Sequence, residues 1–91
     1  MLEQYRKEII EIDERLVELL ERRMEIARKV GEYKIDRNIP ITDAAREEEV
    51  VERAVACLRN EAHRPPIRCF WRLILETSRS VHYRMMLGHE G

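Results

Sequence analysis

The chain has 91 residues, a length that suits one small domain with a limited core of its own. Seventeen Lys and Arg against eighteen Asp and Glu leave a formal net charge of -1, so there is neither a global basic field for nucleic acid nor a polybasic membrane signal. Any anion binding must come from a few positioned cations. Only three Gly, three Pro and one Phe occur, while 38% of residues are charged, a composition suited to solvent-facing helices and unlike a sheet protein. No apolar run is long enough to span a membrane and the N-terminus lacks a secretory pattern, so a cytoplasmic protein is expected. Cys57 and Cys69 lack metal-ligand spacing and lie in apolar stretches of predicted helices, which reads as two reduced core thiols.

From Leu2 to about Lys34 the chain has no Pro and no Gly before Gly31, and an unbroken heptad can be written. Leu2, Ile9, Leu16, Arg23 and Val30 take one set of core positions; Tyr5, Ile12, Leu19, Ile26 and Tyr33 take the other. Ile10, Val17, Leu20, Met24 and Ala27 widen the apolar face beyond a two-stranded seam, which suits a helical bundle. Such a helix is about 48 Å long, whereas a compact domain of this size has a radius of gyration near ~12 Å. The two shorter helices that follow cannot cover so long a stripe. An intertwined homodimer is therefore expected from length alone.

A connector over Ile35 to Thr42 contains Pro40, which disfavours helix at Ile39. Thr42 or Asp43 serves as N-cap of a second helix predicted to reach about Glu61, with Val50, Val51, Ala54, Val55 and Leu58 inward. His63, Arg64, Pro65 and Pro66 read as a loop. The third helix is predicted over Ile67 to Met86, with Phe70, Trp71, Ile74, Leu75, Val81 and Met85 inward and a frayed tail at residues 88–91. The fold class is all-α: one long N-terminal helix and two shorter ones.

The informative residues are those that break the pattern. On the apolar face of the first helix these are Arg6, Asp13, Arg23 and Lys34, with Glu3 at the end. Each alone could snorkel to water or fix register. Three cations on one apolar face with a single acid point further, because unpaired buried cations are costly and an anionic ligand is a natural partner. Asp43, Arg46 and Glu47 form a compact set at the start of the second helix, where a capped, dipole-favoured first turn is the plainer reading. Ser78 interrupts the apolar line of the third helix and His82 lies one turn beyond. A serine there usually bonds the carbonyl one turn back. No nucleophilic arrangement, glycine-rich phosphate loop or metal cluster can be proposed. What remains is a set of charged donors lining an apolar bundle, able to hold a small polyanion and stabilise charge separation without a covalent step. Arg6 and Arg23 are roughly 25 Å apart along a straight helix. If both bind one small ligand, Arg6 must come from the partner of an antiparallel pair.

The runs Arg6-Lys7-Glu8-Ile9-Ile10-Glu11-Ile12-Asp13, Leu19-Leu20-Glu21-Arg22-Arg23, Val30-Gly31-Glu32-Tyr33-Lys34 and Ile39-Pro40-Ile41-Thr42-Asp43-Ala44-Ala45-Arg46-Glu47 resemble the all-helical (AroQ) class of chorismate mutases. The resemblance covers nearly the whole chain and is looser over the third helix. It implies an isomerase of aromatic amino acid biosynthesis that rearranges chorismate to prephenate with no cofactor and no metal. Arg23 and Arg46, with Arg6 from the partner subunit, would meet the two carboxylates of this dianion. Lys34 would donate to the ether oxygen, the backbone at Asp43 and the carboxylate of Glu47 would hold the ring hydroxyl, and Ser78 would lie near the ring carboxylate. Where the class commonly carries Gln or Glu as second ether-oxygen donor, this sequence has His82, which could donate an N–H. Two rival readings are an isochorismate pyruvate-lyase, which shares the fold, and a non-catalytic helical dimerisation module.

Overall fold

The computed structural model describes residues 1–90, with side chains described through residue 88. Its elements are α1 (Leu2–Asp36), α2 (Ala44–Ala56), a single 3-10 turn at Glu61–His63, and α3 (Arg64–Glu90). The chain is all-α, and no strand occurs among the described residues.

α1 has 35 residues and no side-chain cap at Met1. It stops where Asn38 enters the left-handed region at φ 56°, a conformation that Asn tolerates better than most residues. Asn38 and Ile39 then donate their amides back to Ile35 O and Lys34 O, at 3.3 and 2.9 Å, satisfying carbonyls of the last turn. The Arg37 guanidinium stacks 3.7 Å above the Tyr33 ring. The helix sets the shape of the molecule. Its extents are 54 × 25 × 14 Å and its radius of gyration is 16.3 Å, well above the ~12 Å of a compact chain of this length.

Asp43 caps α2, its carboxylate accepting from the Arg46 amide at 3.1 Å. The helix ends at Ala56, earlier than the expected Glu61, because Cys57 and Leu58 fold tightly back onto Ala54 O and Val55 O. Asn60 then adopts an extended backbone and its side chain caps the 3-10 turn, accepting from Ala62 N at 3.0 Å. α3 begins at Arg64, so Pro65 and Pro66 belong to its first turn and are not loop residues. First-turn amides have no intrahelical partner, so proline costs nothing there and its fixed φ suits the helix. Arg64 donates to both oxygens of Glu61, at 2.6 and 2.9 Å. These bonds hold the Glu61 carboxyl below its ordinary pKa and raise that of Arg64. At its other end α3 runs to Glu90 where a tail had been expected from residue 88, and Gly91 lies outside the described residues.

α3 is the central element, packing against both α1 and α2. Val51 and Val55 of α2 are fully buried and Ile41 of the connector is buried as well, each valine contributing about 1.5–3 kcal/mol of transfer free energy. Antiparallel ion pairs flank this contact: Arg68 with Glu52, Arg72 with Glu48 at 3.6 Å, and Arg79 with Glu47 at 2.8 Å. α1 meets α3 at Gly31, where a Cβ would lie 2.8 Å from Cδ2 of His82. That glycine lets the His82 ring reach the helix backbone, and its Nε2–H donates to the Ala27 carbonyl at 2.7 Å. A carbonyl only accepts, so the proton is on Nε2.

Little of the expected stripe on α1 is covered within one chain. Ile9, Ile12, Leu16 and Leu19 are all exposed by roughly half, far more apolar surface in one row than a soluble helix normally presents. Phe70 is exposed as well, although the pattern put it inward. Cys57 and Cys69 are free thiols but exposed, which corrects their reading as core residues. Cys57 lies just past the end of α2, where its Sγ turns back to Arg53 O.

Candidate active site

The C-terminal half of α1, the connector, the first two turns of α2 and the middle of α3 line an open cavity of about 370 Å³. Its walls are apolar, with Ile26, Val30, Val50 and Leu75, and into it converge Arg23, Lys34, Asp43, Arg46, Glu47, Ser78, Arg79 and His82. Every predicted site residue is thus at one place except Arg6. Arg6 is exposed on the N-terminal half of α1, outside the cavity, and it forms no ion pair among the described residues.

The local reasons differ from residue to residue. Arg23, Lys34 and the apolar Ile26, Ala27 and Val30 share a face of α1 by helical spacing. Arg23 donates to the Ser78 hydroxyl at 2.9 Å, and Ser78 passes its own hydrogen to Ile74 O at 3.1 Å. The serine therefore bonds one turn back, as expected, and also orients the guanidinium. Lys34 Nζ lies 3.4 Å from Ile41 O, a long contact that leaves most of its donor capacity unused. Arg46 has only a 3.4 Å contact to the exposed Glu49 and is itself half exposed, so it can turn inward. Asp43 is occupied as a helix cap. His82 is buried, and the Nε2–H that a ligand would need is already given to Ala27 O.

Arg79 was not anticipated from the sequence. Its Nη1 donates to both oxygens of Glu47, at 2.8 and 2.9 Å. A signal for it was available: Arg79 follows Leu75 by four residues and precedes His82 by three, and both of those line the cavity. With Arg79 counted, four cations face two carboxylates, leaving two positive charges if His82 is neutral. That charge matches a small dianion held by charge-assisted hydrogen bonds within apolar walls.

A second hollow of about 410 Å³ lies on the other side of the Arg23–Ser78 contact. Its lining is mostly apolar, with Leu20, Met24, Phe70, Leu73, Ile74 and Val81, and Arg23, Arg28, Thr77 and Ser78 border it. Among the described residues no group of His, Cys, Asp and Glu side chains is placed to hold a metal ion, and no helix is long and apolar enough to cross a membrane.

An all-helical chain with a cationic, apolar-walled cavity between its helices defines a class: a helical protein with a site for a small polyanion. The family follows from sequence comparison. The family model for chorismate mutase type II matches residues 5–83, and the chain belongs to that family. A bifunctional chorismate mutase/prephenate dehydratase from Aquifex aeolicus (strain VF5) is 42% identical over 52 residues. That stretch is 57% of this chain but 14% of the relative, so the chain spans a small share of that protein's length. No solved structure matches the chain.

Proposed function

We propose that the chain is a chorismate mutase, a cofactor-independent isomerase that converts chorismate to prephenate in the cytoplasm as a homodimer with shared sites. The observation that carries this reading is the convergence of Arg23, Lys34 and Arg46 with Glu47 in one apolar-walled cavity. The reaction breaks an ether C–O bond and forms a C–C bond within one molecule, so the site needs no nucleophile and no proton relay. It has to select a compact conformer of a flexible dianion and stabilise charge that grows on the ether oxygen.

In this mechanism Arg23 and Arg46 of one subunit and Arg6 of the other hold the two carboxylates. Bringing the cations together in advance removes the ordering cost from the reactive step. Lys34, the least committed donor in the cavity, bonds the ether oxygen and strengthens its bond as negative charge develops there. The Glu47 carboxylate and the backbone at Asp43 receive the ring hydroxyl, and Ser78 steadies Arg23 beside the ring carboxylate. His82 takes a different part from the donor role that the family resemblance implied. With Nε2–H given to Ala27 O, it holds α3 against α1, and Lys34 acts on the ether oxygen alone. Covered by the second copy, the apolar walls would exclude water and so strengthen each charged contact.

The dimer reading rests on the uncovered apolar stripe of α1 and the apolar hollow beside Phe70. Burying both against a second copy would also bring Arg6 to a cavity that it cannot reach in its own chain, since it stands roughly 25 Å from Arg23. Each chain then acts as one helical domain. The direct test is the loss of chorismate ultraviolet absorbance on adding purified protein, with prephenate identified as product. Unchanged absorbance, or pyruvate released from isochorismate with no prephenate from chorismate, would refute the assignment.

A further inference from the structure

Among the described residues three ion pairs join α2 to α3, and one of them lies in the cavity. Arg68–Glu52 and Arg72–Glu48 are outside it, the latter at 3.6 Å with both side chains more than half exposed. Arg79–Glu47 is tighter and more shielded, with side chains 36% and 23% exposed, and both residues line the cavity. We propose that Arg79 is a positioning residue of the anionic site: it holds the Glu47 carboxylate in place and offsets its charge where a dianion must bind. The inference rests on the chorismate mutase reading above.

The geometry of the contact supports this role. One Nη1 donor is shared between the two carboxylate oxygens, at 2.8 and 2.9 Å. A carboxylate accepts at about four lone-pair positions, so each oxygen keeps a free direction while bound to Arg79. Glu47 can therefore take a hydroxyl hydrogen without letting go of the arginine. The flexible glutamate is ordered before substrate arrives, so that cost is not charged to binding.

Charge gives the second half of the argument. Without Arg79 the cavity would hold three cations against two carboxylates. Glu47 would also be free to turn toward Lys34 or Arg46, which line the same space, and compete there with the substrate's carboxylates. The penalty therefore falls on binding of the dianion, and it exists only while Glu47 is present. An arginine that merely clipped the two helices would affect unfolding and leave substrate affinity alone.

The test is steady-state kinetics on chorismate for the wild type and for Arg79→Ala, Arg79→Lys, Arg79→Gln, Arg72→Ala, Glu47→Ala and the Arg79→Ala/Glu47→Ala pair, with helicity checked by circular dichroism. Arg79→Ala is expected to raise KM by about 10- to 100-fold, the range of a lost charge-assisted contact, with kcat changed by less than about threefold. Arg79→Lys should recover part of the loss, and Arg79→Gln, which keeps a donor without the charge, should fall between. Arg72→Ala, which breaks a pair outside the cavity, should leave KM unchanged. In the Glu47→Ala background, removing Arg79 should cost less than about twofold more, the mark of two residues acting as one unit. An unchanged KM in folded Arg79 variants would overturn the proposal. So would an equal rise in both backgrounds, which would mean that Arg79 meets the substrate itself. If Arg79→Ala does not fold, the Lys and Gln variants decide on the same criteria. An inactive wild type would overturn the chorismate mutase reading and this inference together, whereas an active wild type with uncoupled residues would overturn this inference only.

Discussion

The shared site can be tested by mixing two damaged chains. Arg6 and Arg23 stand roughly 25 Å apart on one straight helix, more than the span of any ligand that fits a cavity of this size. Arg23 lines the cavity, and Arg6 is exposed outside it. Each should be required, so Arg6→Ala and Arg23→Ala alone should each lose about a hundredfold or more in kcat/KM, the cost of removing one partner of a desolvated charge pair. Equal amounts of the two variants, unfolded together and refolded, should re-pair at random, giving hybrids in about half of the dimers. Every hybrid has one site with both arginines and one site with neither. About a quarter of all sites are then intact, and the mixture should recover about a quarter of wild-type activity per chain. The assay is chorismate decay before and after co-refolding, with hybrid formation followed by an affinity tag on one variant. Hybrids that form without regaining activity would refute the shared site, as would a fully active Arg6→Ala.

Further expectations follow from single contacts. Lys34→Ala should lower kcat by about 10²- to 10³-fold, equivalent to roughly 2.7–4 kcal/mol of transition-state stabilisation, with circular dichroism unchanged; undiminished turnover would remove Lys34 from its role. Gly31→Ala gains about 1 kcal/mol of helix propensity. Its new Cβ, however, would meet His82 Cδ2 at 2.8 Å and Met85 Sδ at 3.3 Å. The ring cannot retreat without giving up its bond to Ala27 O, and overpacking of this kind costs about 1–3 kcal/mol, so Tm should fall. A Tm raised by Gly31→Ala would show that α1 and α3 meet more loosely than a 2.8 Å approach to His82 allows. Because half-exposed Ile9, Ile12, Leu16 and Leu19 are assigned to a second copy, thermal unfolding should depend on concentration, with Tm falling on hundredfold dilution. A concentration-independent Tm together with a monomeric mass in sedimentation would contradict the dimer.

The existence and order of the three helices were legible in the residue pattern. So were most members of the candidate site, because helical periodicity is local: an Arg at a core position such as Arg23 is conspicuous from its neighbours alone. The length of α1 also carried the argument for a partner before any contact was known. Element ends were read less well. Pro65 and Pro66 read as loop in the sequence although the first turn of a helix accepts proline, and α2 stops at Ala56 through backbone bonds that no periodicity reports. What only tertiary structure decided is which partner each polar group takes. Arg79 meets Glu47 across 32 positions of sequence, while Arg23 meets Ser78 and His82 meets Ala27 across 55. Hydrogen bonds are directional and short, so a shift of an ångström or two between helices would exchange one partner for another while leaving the apolar pattern intact. The residue types and their faces therefore come from local sequence; the free donor at Lys34 and the committed ones at Ser78 and His82 come from the way α3 lies between α1 and α2.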